Sequence, residues 1–374
     1  MEDRNILSCS DIHLGHPRVP VTHIENNLNE FLFPYLMQVY LAFFGGDVFH
    51  QLLRIDADNT QAVLSVINRI LSIAKEKGIL LRILRGTFTH DRGQNTLFET
   101  LNQAYNVDLK CIDSVCLEYI EQYNLRILYI PDNLPYANSD ECIDEIHTLL
   151  KSAQWDYVDF VVMHGYFEHV LPEGIPHQPH CTFRKEQFES FVKHYVLVGH
   201  VHTPSKNGKI IYNGSFDRLC HGEEEKKGFF FLTNQNEDWK IKFIENKHAM
   251  NFITVRPEGN NINELLESTY SEIEKKFGKH PGGYLRIILD DPEKRQLIIQ
   301  HVLATFNTDL IVTGMSPKES KTEIITIEEQ EFQTYEQIVP TQENLAELVY
   351  IHIQKTKGSC DVDIPTIHKY LASL

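Results

Sequence analysis

With 374 residues, 42% of them hydrophobic and 23% charged, the chain has the composition of a globular protein with a full core, and its length suggests two domains, one large and one small. No apolar run approaches the roughly 18–20 residues of a membrane helix. The start, Met1-Glu-Asp-Arg-Asn5, has no signal-peptide plan, so a cytoplasmic location is expected (the host cytoplasm if phage-encoded) and no membrane partner. A formal net charge of −17 excludes a protein that grips nucleic acid by a basic surface alone, although bound cations can supply the local field that phosphate needs.

Taken in order, short apolar runs alternate with amphipathic stretches. Strands are predicted at Asn5–Ser8, Val39–Phe44, Ile79–Leu84, Ser114–Ile120, Leu125–Ile130, Val158–Met163 and Tyr195–Val198, each rich in branched and aromatic side chains. From Asp58 onward, Val63, Val66, Ile67, Ile70, Leu71 and Ala74 recur at helical spacing, with Lys75 and Lys77 in the last turn and Gly78 as the stop. Further strands at Lys209–Tyr212, Gly228–Leu232 and Trp239–Ile244 read as a second sheet packed on the first. A boundary falls near His248–Asn251. Beyond it, strand Phe252–Val255, helix Asn263–Phe277, strand Tyr284–Leu289, helix Pro292–Phe306 and strand Leu310–Val312 form a small α/β unit. A polar stretch and two helices, Gln342–Gln354 and Ile364–Leu371, complete the plan. The domains expected are therefore 1–249, 250–318 and a linker with helical tail, 319–374. Seven cysteines, odd in number and without a Cys-x-x-Cys pair, argue against a disulfide framework or a structural zinc site.

The chemistry sits at the strand ends, where polar residues appear that a sheet core does not need. The first ends in Ser10-Asp11-Ile12-His13, the second in Gly46-Asp47-Val48-Phe49-His50, and the third in Gly86-Thr87-Phe88-Thr89-His90-Asp91. Two later strands end in His164-Gly165 and Gly199-His200-Val201-His202. Ligands collect beyond the carboxyl ends of strands in open α/β sheets, so five such ends can face one pocket. Oxygen and imidazole donors without thiolate suit Mn²⁺, Fe²⁺ or Zn²⁺ at a hydrolytic centre. Two metals about 3.5–4 Å apart need a bridging ligand, and Asp47 is the natural one. Singly each motif is weak, since an aspartate can merely cap a turn and a His-Gly pair is often structural. The set of five in order carries the argument.

These motifs resemble the calcineurin-like metallophosphoesterase superfamily, whose pattern is Asp-x-His, Gly-Asp, Gly-Asn-His-Asp, His and Gly-His-x-His. The strings Ser10-Asp-Ile-His-Leu-Gly15, Gly45-Gly-Asp-Val-Phe-His50 and Tyr212-Asn-Gly-Ser215 resemble its SbcD-type branch, the nuclease subunit of a DNA double-strand-break repair complex, phage versions included. The resemblance covers residues 1 to about 220. It implies an α/β/β/α two-sheet core, a small α/β capping domain and a helical tail that docks on an SbcC-type ABC ATPase. It further implies two divalent ions, most often Mn²⁺, with Mg²⁺, Fe²⁺ or Zn²⁺ as options. Asp11, His13 and His202 would hold the first, His164 and His200 the second, and Asp47 would bridge. His90 would assist the departing oxygen with Asp91 holding its ring, and His50 would position the scissile phosphate. A homodimer is implied by the resemblance only.

One departure stands out: where the pattern has Gly-Asn-His-Asp, this chain has two extra residues and no asparagine. The Asn position is assigned to Thr89, with Thr89 or Thr87 as ligand, a water, or a weak second site as the options. Arg85, Arg92, Arg184 and Arg218, with Lys185, Lys226 and Lys227, lie near the motifs as candidate contacts to DNA phosphates; ordinary solvated charges are an equal reading of each. His16, His169, His177, His180 and His221 read as surface or supporting residues. The function expected is a metal-dependent nuclease acting on duplex ends and single strands. The alternatives are another phosphatase or small-molecule phosphodiesterase of the same chemistry, or a non-catalytic scaffold of the ATPase complex.

Overall fold

The computed structural model describes residues 4–54, 58–132, 134–170, 181–235, 238–277, 282–306 and 310–319, with 365, 366 and 369 beyond them. The chain divides into two compact units, 1–326 and 327–374. The expected tail helices Gln342–Gln354 and Ile364–Leu371 lie outside the described residues, apart from those three positions.

Two six-stranded mixed sheets form the body of the first unit. One runs Asp238–Glu245, Gly228–Gln235, Arg4–Cys9, Leu41–Phe44, Leu80–Leu84, Leu109–Ile112, and its last four strands are parallel. The other runs Ser205–Asn207, Ile210–Tyr212, Val192–Gly199, Val158–His164, Leu125–Ile130, Cys116–Ile120, with four parallel central strands. The expectation that Gly228–Leu232 and Trp239–Ile244 belong to the second sheet is corrected: they pair antiparallel along the edge of Arg4–Cys9. Their hairpin is local, but the sheet it joins is a long-range choice that spacing does not encode.

Alternation along the strands builds the layers. In Leu41–Phe44, Leu41 and Phe43 enter the apolar cluster shared with Ile127, Phe160 and Leu197 of the other sheet. Ala42 and Phe44 turn the other way, to the cluster containing Val63, Val66, Ile67, Ile70, Leu71 and Ala74 of helix Asp58–Lys77. Gly78, at φ +68°, ends that helix as expected. On the far side, helix Ser139–Ala153, absent from the elements expected above, packs Cys142, Ile146 and Leu150 on the second sheet. Its start is capped by Asn138, which accepts from the Glu141 amide. Helix, sheet, sheet and helix are thus stacked in a two-sheet α/β layered fold.

The segment after Asn251 has its own parallel sheet, Phe252–Val255, Gly283–Ile288 and Leu310–Met315, and its own apolar cluster with helices Ile262–Phe277 and Pro292–Thr305. It belongs to the first compact unit: Phe252 enters the apolar cluster of the first sheet, and the Tyr284 hydroxyl donates to the Arg18 carbonyl at 2.6 Å. Among the described residues no helix is long and apolar enough to cross a membrane, and the six described cysteines are all free.

Candidate metal centre

Parallel strands from both sheets deliver their carboxyl ends to one place. Beyond them, two loops run side by side as an irregular ladder: the Asp11 amide donates to the Gly46 carbonyl and His13 to Asp47, each at 3.0 Å, and His50 returns to Leu14. Asp11 (φ 52°), His13 (52°), Asp47 (50°) and His200 (92°) adopt left-handed backbone. That conformation costs a non-glycine residue on the order of 1 kcal/mol or more, and four donor residues carry it. Gly46 and Gly86 make the crowding possible. A Cβ on Gly46 would stand 2.3 Å from His164 Nδ1, and one on Gly86 2.2 Å from the Asp47 nitrogen.

The loops assemble two three-residue groups, Asp11/His13/His202 and Asp47/His164/His200, and in each the donor atoms lie within 4.8 Å of one another. In the first, the buried Asp11 carboxylate accepts from the His200 amide, and His13 Nε2 faces His202 Nε2 at 3.2 Å. In the second, His164 Nε2 lies 3.3 Å from Asp47 Oδ2 and 3.1 Å from His200 Nδ1. The far nitrogens of two of these rings are fixed. His164 Nδ1 donates to the Gly45 carbonyl at 2.8 Å and His202 Nδ1 to Glu223 Oε1 at 2.7 Å. Each neutral ring therefore presents its Nε2 lone pair to its group, the arrangement in which an outer partner sets a metal ligand's tautomer. Lone pairs converging on carboxylates repel unless a cation or a proton lies among them. These His/Asp groups fit a divalent ion by chemistry as well as by spacing.

Electrostatics agree with that reading. Burial pushes the Asp11 carboxyl up. Burial would also raise Asp47, but the His164 charge and hydrogen bond hold it well below the usual range. Burial works to lower His164 and His202, yet Asp47 pushes the first up to about 10 and Glu223 the second to about 9. Without a metal, protons take up the charge that the carboxylates demand. His13 and His200 are driven well below 6.5, first by burial.

A third group adjoins the first: His13, His50 and His90. His50 Nδ1 is 3.3 Å from His13 Nδ1, and His90 Nδ1 donates to the His50 carbonyl at 2.6 Å. His16, expected at the surface or in support, is buried with its ring 4.3 Å from His50. His221 reaches Thr254 and His169 is exposed; His177 and His180 lie outside the described residues.

Three expectations are corrected. Asp91 does not hold the His90 ring. Its buried carboxylate accepts the amides of Gly86 (2.7 Å), Asp47 (3.1 Å) and Phe49 (3.1 Å), tying the second and third loops together, while a backbone carbonyl orients His90. Thr89 is not at the centre: its carbonyl takes Arg92 Nε, and among the described residues its hydroxyl bonds to none of the donors. Thr87 holds that place. Its hydroxyl is 3.0 Å from Asp47 Oδ2, 3.2 Å from His200 Nδ1 and 3.4 Å from His164 Nε2. The extra residues are thus Phe88-Thr89, after the ligand position and not before it. Among the candidate phosphate contacts, Arg218 is bound to the carbonyls of Glu225, Ala249 and Met250, and Arg184 pairs with Asp140. Arg85 donates to the Asp132 carbonyl, and Arg92 is exposed on the turn after His90. Lys227, wholly buried, pairs with Glu223 and donates to the His202 carbonyl. Glu223 and Lys227 form a buried support for His202 that no spacing pattern pointed to.

No protein-family model and no curated protein matches this chain. Among solved structures, TT1561 of Thermus thermophilus aligns over 64% of this chain and 99% of its own, at 10% identity and a TM-score of 0.39. GAP50, the anchor in the inner membrane complex of Plasmodium, aligns over 66% and 86%, at 15% identity and a TM-score of 0.39. The functional reading rests on the site's own geometry.

Proposed function

We propose that this chain is a metallophosphoesterase that hydrolyses phosphodiesters with two divalent cations, Mn²⁺ foremost, and that it acts as a DNA nuclease of the SbcD type. The observation that carries the reading is the pair of three-donor groups with His50 and His90 beside them. Cations bound there would make hydroxide available near neutral pH and neutralise charge growing on the phosphate. Against Asp11 and Asp47 they would leave the pocket locally positive inside a chain of net charge −17.

The protein's own residues do the rest. Asp47 supplies a carboxylate to the second group and, through its carbonyl, fixes the His13 amide of the first, which suits a bridging role. Thr87 adds a neutral oxygen where an amide would otherwise stand. His90, oriented by the His50 carbonyl, donates from Nε2 to the leaving sugar oxygen as general acid. Burial, then the nearby His90, hold His50 down at about 4, so it works as a neutral ring that positions the phosphate.

Because Arg184 and Arg218 are engaged elsewhere, a small phosphodiester or phosphomonoester is the second reading, and a non-catalytic scaffold the third. Purified protein with Mn²⁺ is given linear duplex DNA, single-stranded DNA and a generic phosphodiester. Degradation from duplex ends with cleavage of single strands is expected. Turnover of the generic ester alone would favour the second reading, and no turnover with metal bound the third. The SbcC-type ATPase partner, proposed to dock on residues 340–374, and a homodimer are tested by pull-down and sedimentation.

A further inference from the structure

Outside the donor groups, three surface features stand out, and two of them name no ligand. The hollow of about 300 Å³ between Lys185, Phe188, Lys209 and Ile210 is mainly apolar. The exposed Leu297 and Leu303 of the small α/β segment have nothing on them that points to an occupant. The rim of the donor pocket does. Phe88 is 51% exposed, and it sits between Thr87, whose hydroxyl lies among the donors, and the turn that carries His90. Leu52, 52% exposed, follows His50 by two residues. The two loops are pinned to each other: His90 Nδ1 to the His50 carbonyl, the Leu53 amide to Gln94 Oε1, and Gln94 Nε2 to the Gln51 carbonyl.

Single exposed apolar residues are ordinary on protein surfaces. Phe88 differs in how firmly its backbone is held. The preceding Thr87 amide donates to Asp47 Oδ1 at 2.6 Å, and the Phe88 carbonyl accepts from Arg92. Its exposed ring therefore extends from backbone anchored one residue away from Thr87, whose hydroxyl lies among the donors. What lies next to the phosphorus of a nucleic acid is a nucleoside. In a chain this acidic, with Arg184 and Arg218 engaged, affinity for that nucleoside must come from something other than a basic track.

We propose that Phe88 is a stacking platform for an unpaired base flanking the scissile phosphate, which makes single-stranded DNA the preferred substrate class. Every base offers a π-face, so such a platform discriminates paired from unpaired bases and not sequence.

This inference rests on the nuclease reading, and the test separates the two. The substrate is a nine-nucleotide strand whose central linkage alone is cleavable. It is made once with bases on both flanking sugars and once with abasic sugars there. The wild type should cleave the base-bearing strand with kcat/KM about 5- to 150-fold higher, the range that base–aromatic stacking supplies. Phe88→Ala should bring that ratio close to one, and Phe88→Trp should keep it. Equal cleavage of both strands by the wild type, or a ratio unmoved in Phe88→Ala, overturns the platform and leaves the nuclease standing. No cleavage of either strand overturns the platform, and overturns the nuclease as well if linear duplex DNA is also left intact.

Discussion

Glu223 makes the sharpest claim outside the donor set. Its carboxylate accepts from His202 Nδ1 at 2.7 Å and from the Leu219 amide at 2.9 Å, and it pairs with the fully buried Lys227 at 3.1 Å. Replacing it with glutamine removes a charge from both neighbours. Outer partners of metal-ligating histidines are worth about 10- to 100-fold in metal affinity, and Glu223→Gln should weaken Mn²⁺ binding by that factor in calorimetric titration. Leaving Lys227 buried without its counter-charge should also cost about 3–5 kcal/mol of stability, read as a lower urea midpoint. Glu223→Gln/Lys227→Met separates the effects: removing the stranded charge should recover much of the stability and little of the metal affinity. If Glu223→Gln bound Mn²⁺ as tightly as the parent, or the double variant regained full affinity, the carboxylate would be a structural counter-ion and not part of the metal centre.

Other perturbations follow from the same geometry. Thr87→Ala should weaken the second site and lower activity, while Thr89→Ala should be near silent; parallel metal titrations and rate measurements check the pair, and the reverse order would restore Thr89 to the ligand position. His90→Ala should cut turnover roughly 10²–10⁴-fold with metal still bound; loss of metal instead would make it a ligand. Between the sheets, Arg82 holds Glu118 in two bonds of 2.7 and 2.8 Å, with Lys110 and Tyr129 adding theirs. Burial would raise the Glu118 acid, but these partners hold it at about 2, below its ordinary 4.5. A depressed carboxyl stabilises the fold at pH above 4.5 and loses that contribution, about 3 kcal/mol, as pH falls toward 2. Urea melts of Glu118→Gln should therefore lose the steep part of that acid limb; an unchanged limb would contradict the assignment.

Much of the site could be read from the chain because its donors follow directly on buried strands. Asp11, His13, Asp47, His164, His200 and His202 are each within a few residues of a strand end, and the layered fold makes those ends converge. The helix Asp58–Lys77 and the small α/β segment were legible for a similar reason, since their apolar periodicity is local. Other features depend on contacts that no spacing encodes. Whether Thr87 or Thr89 takes the ligand position depends on which side of it the loop bulges. Asp91 looked like a partner for its neighbour His90, yet its carboxylate is turned to backbone amides of two other loops. Glu223 lies 21 residues past His202 and meets it only through the fold. The hairpin Gly228–Glu245 was visible as strands, but not which sheet it would join.

The most direct test of the metal-pair account is a crystal of the full chain soaked in Mn²⁺ and recorded at the manganese absorption edge. Two anomalous peaks about 3.5–4 Å apart are expected, one against Asp11, His13 and His202, the other against His164 and His200, with Asp47 touching both. A single ion, peaks elsewhere, or an Asp47 carboxylate that meets neither would contradict it.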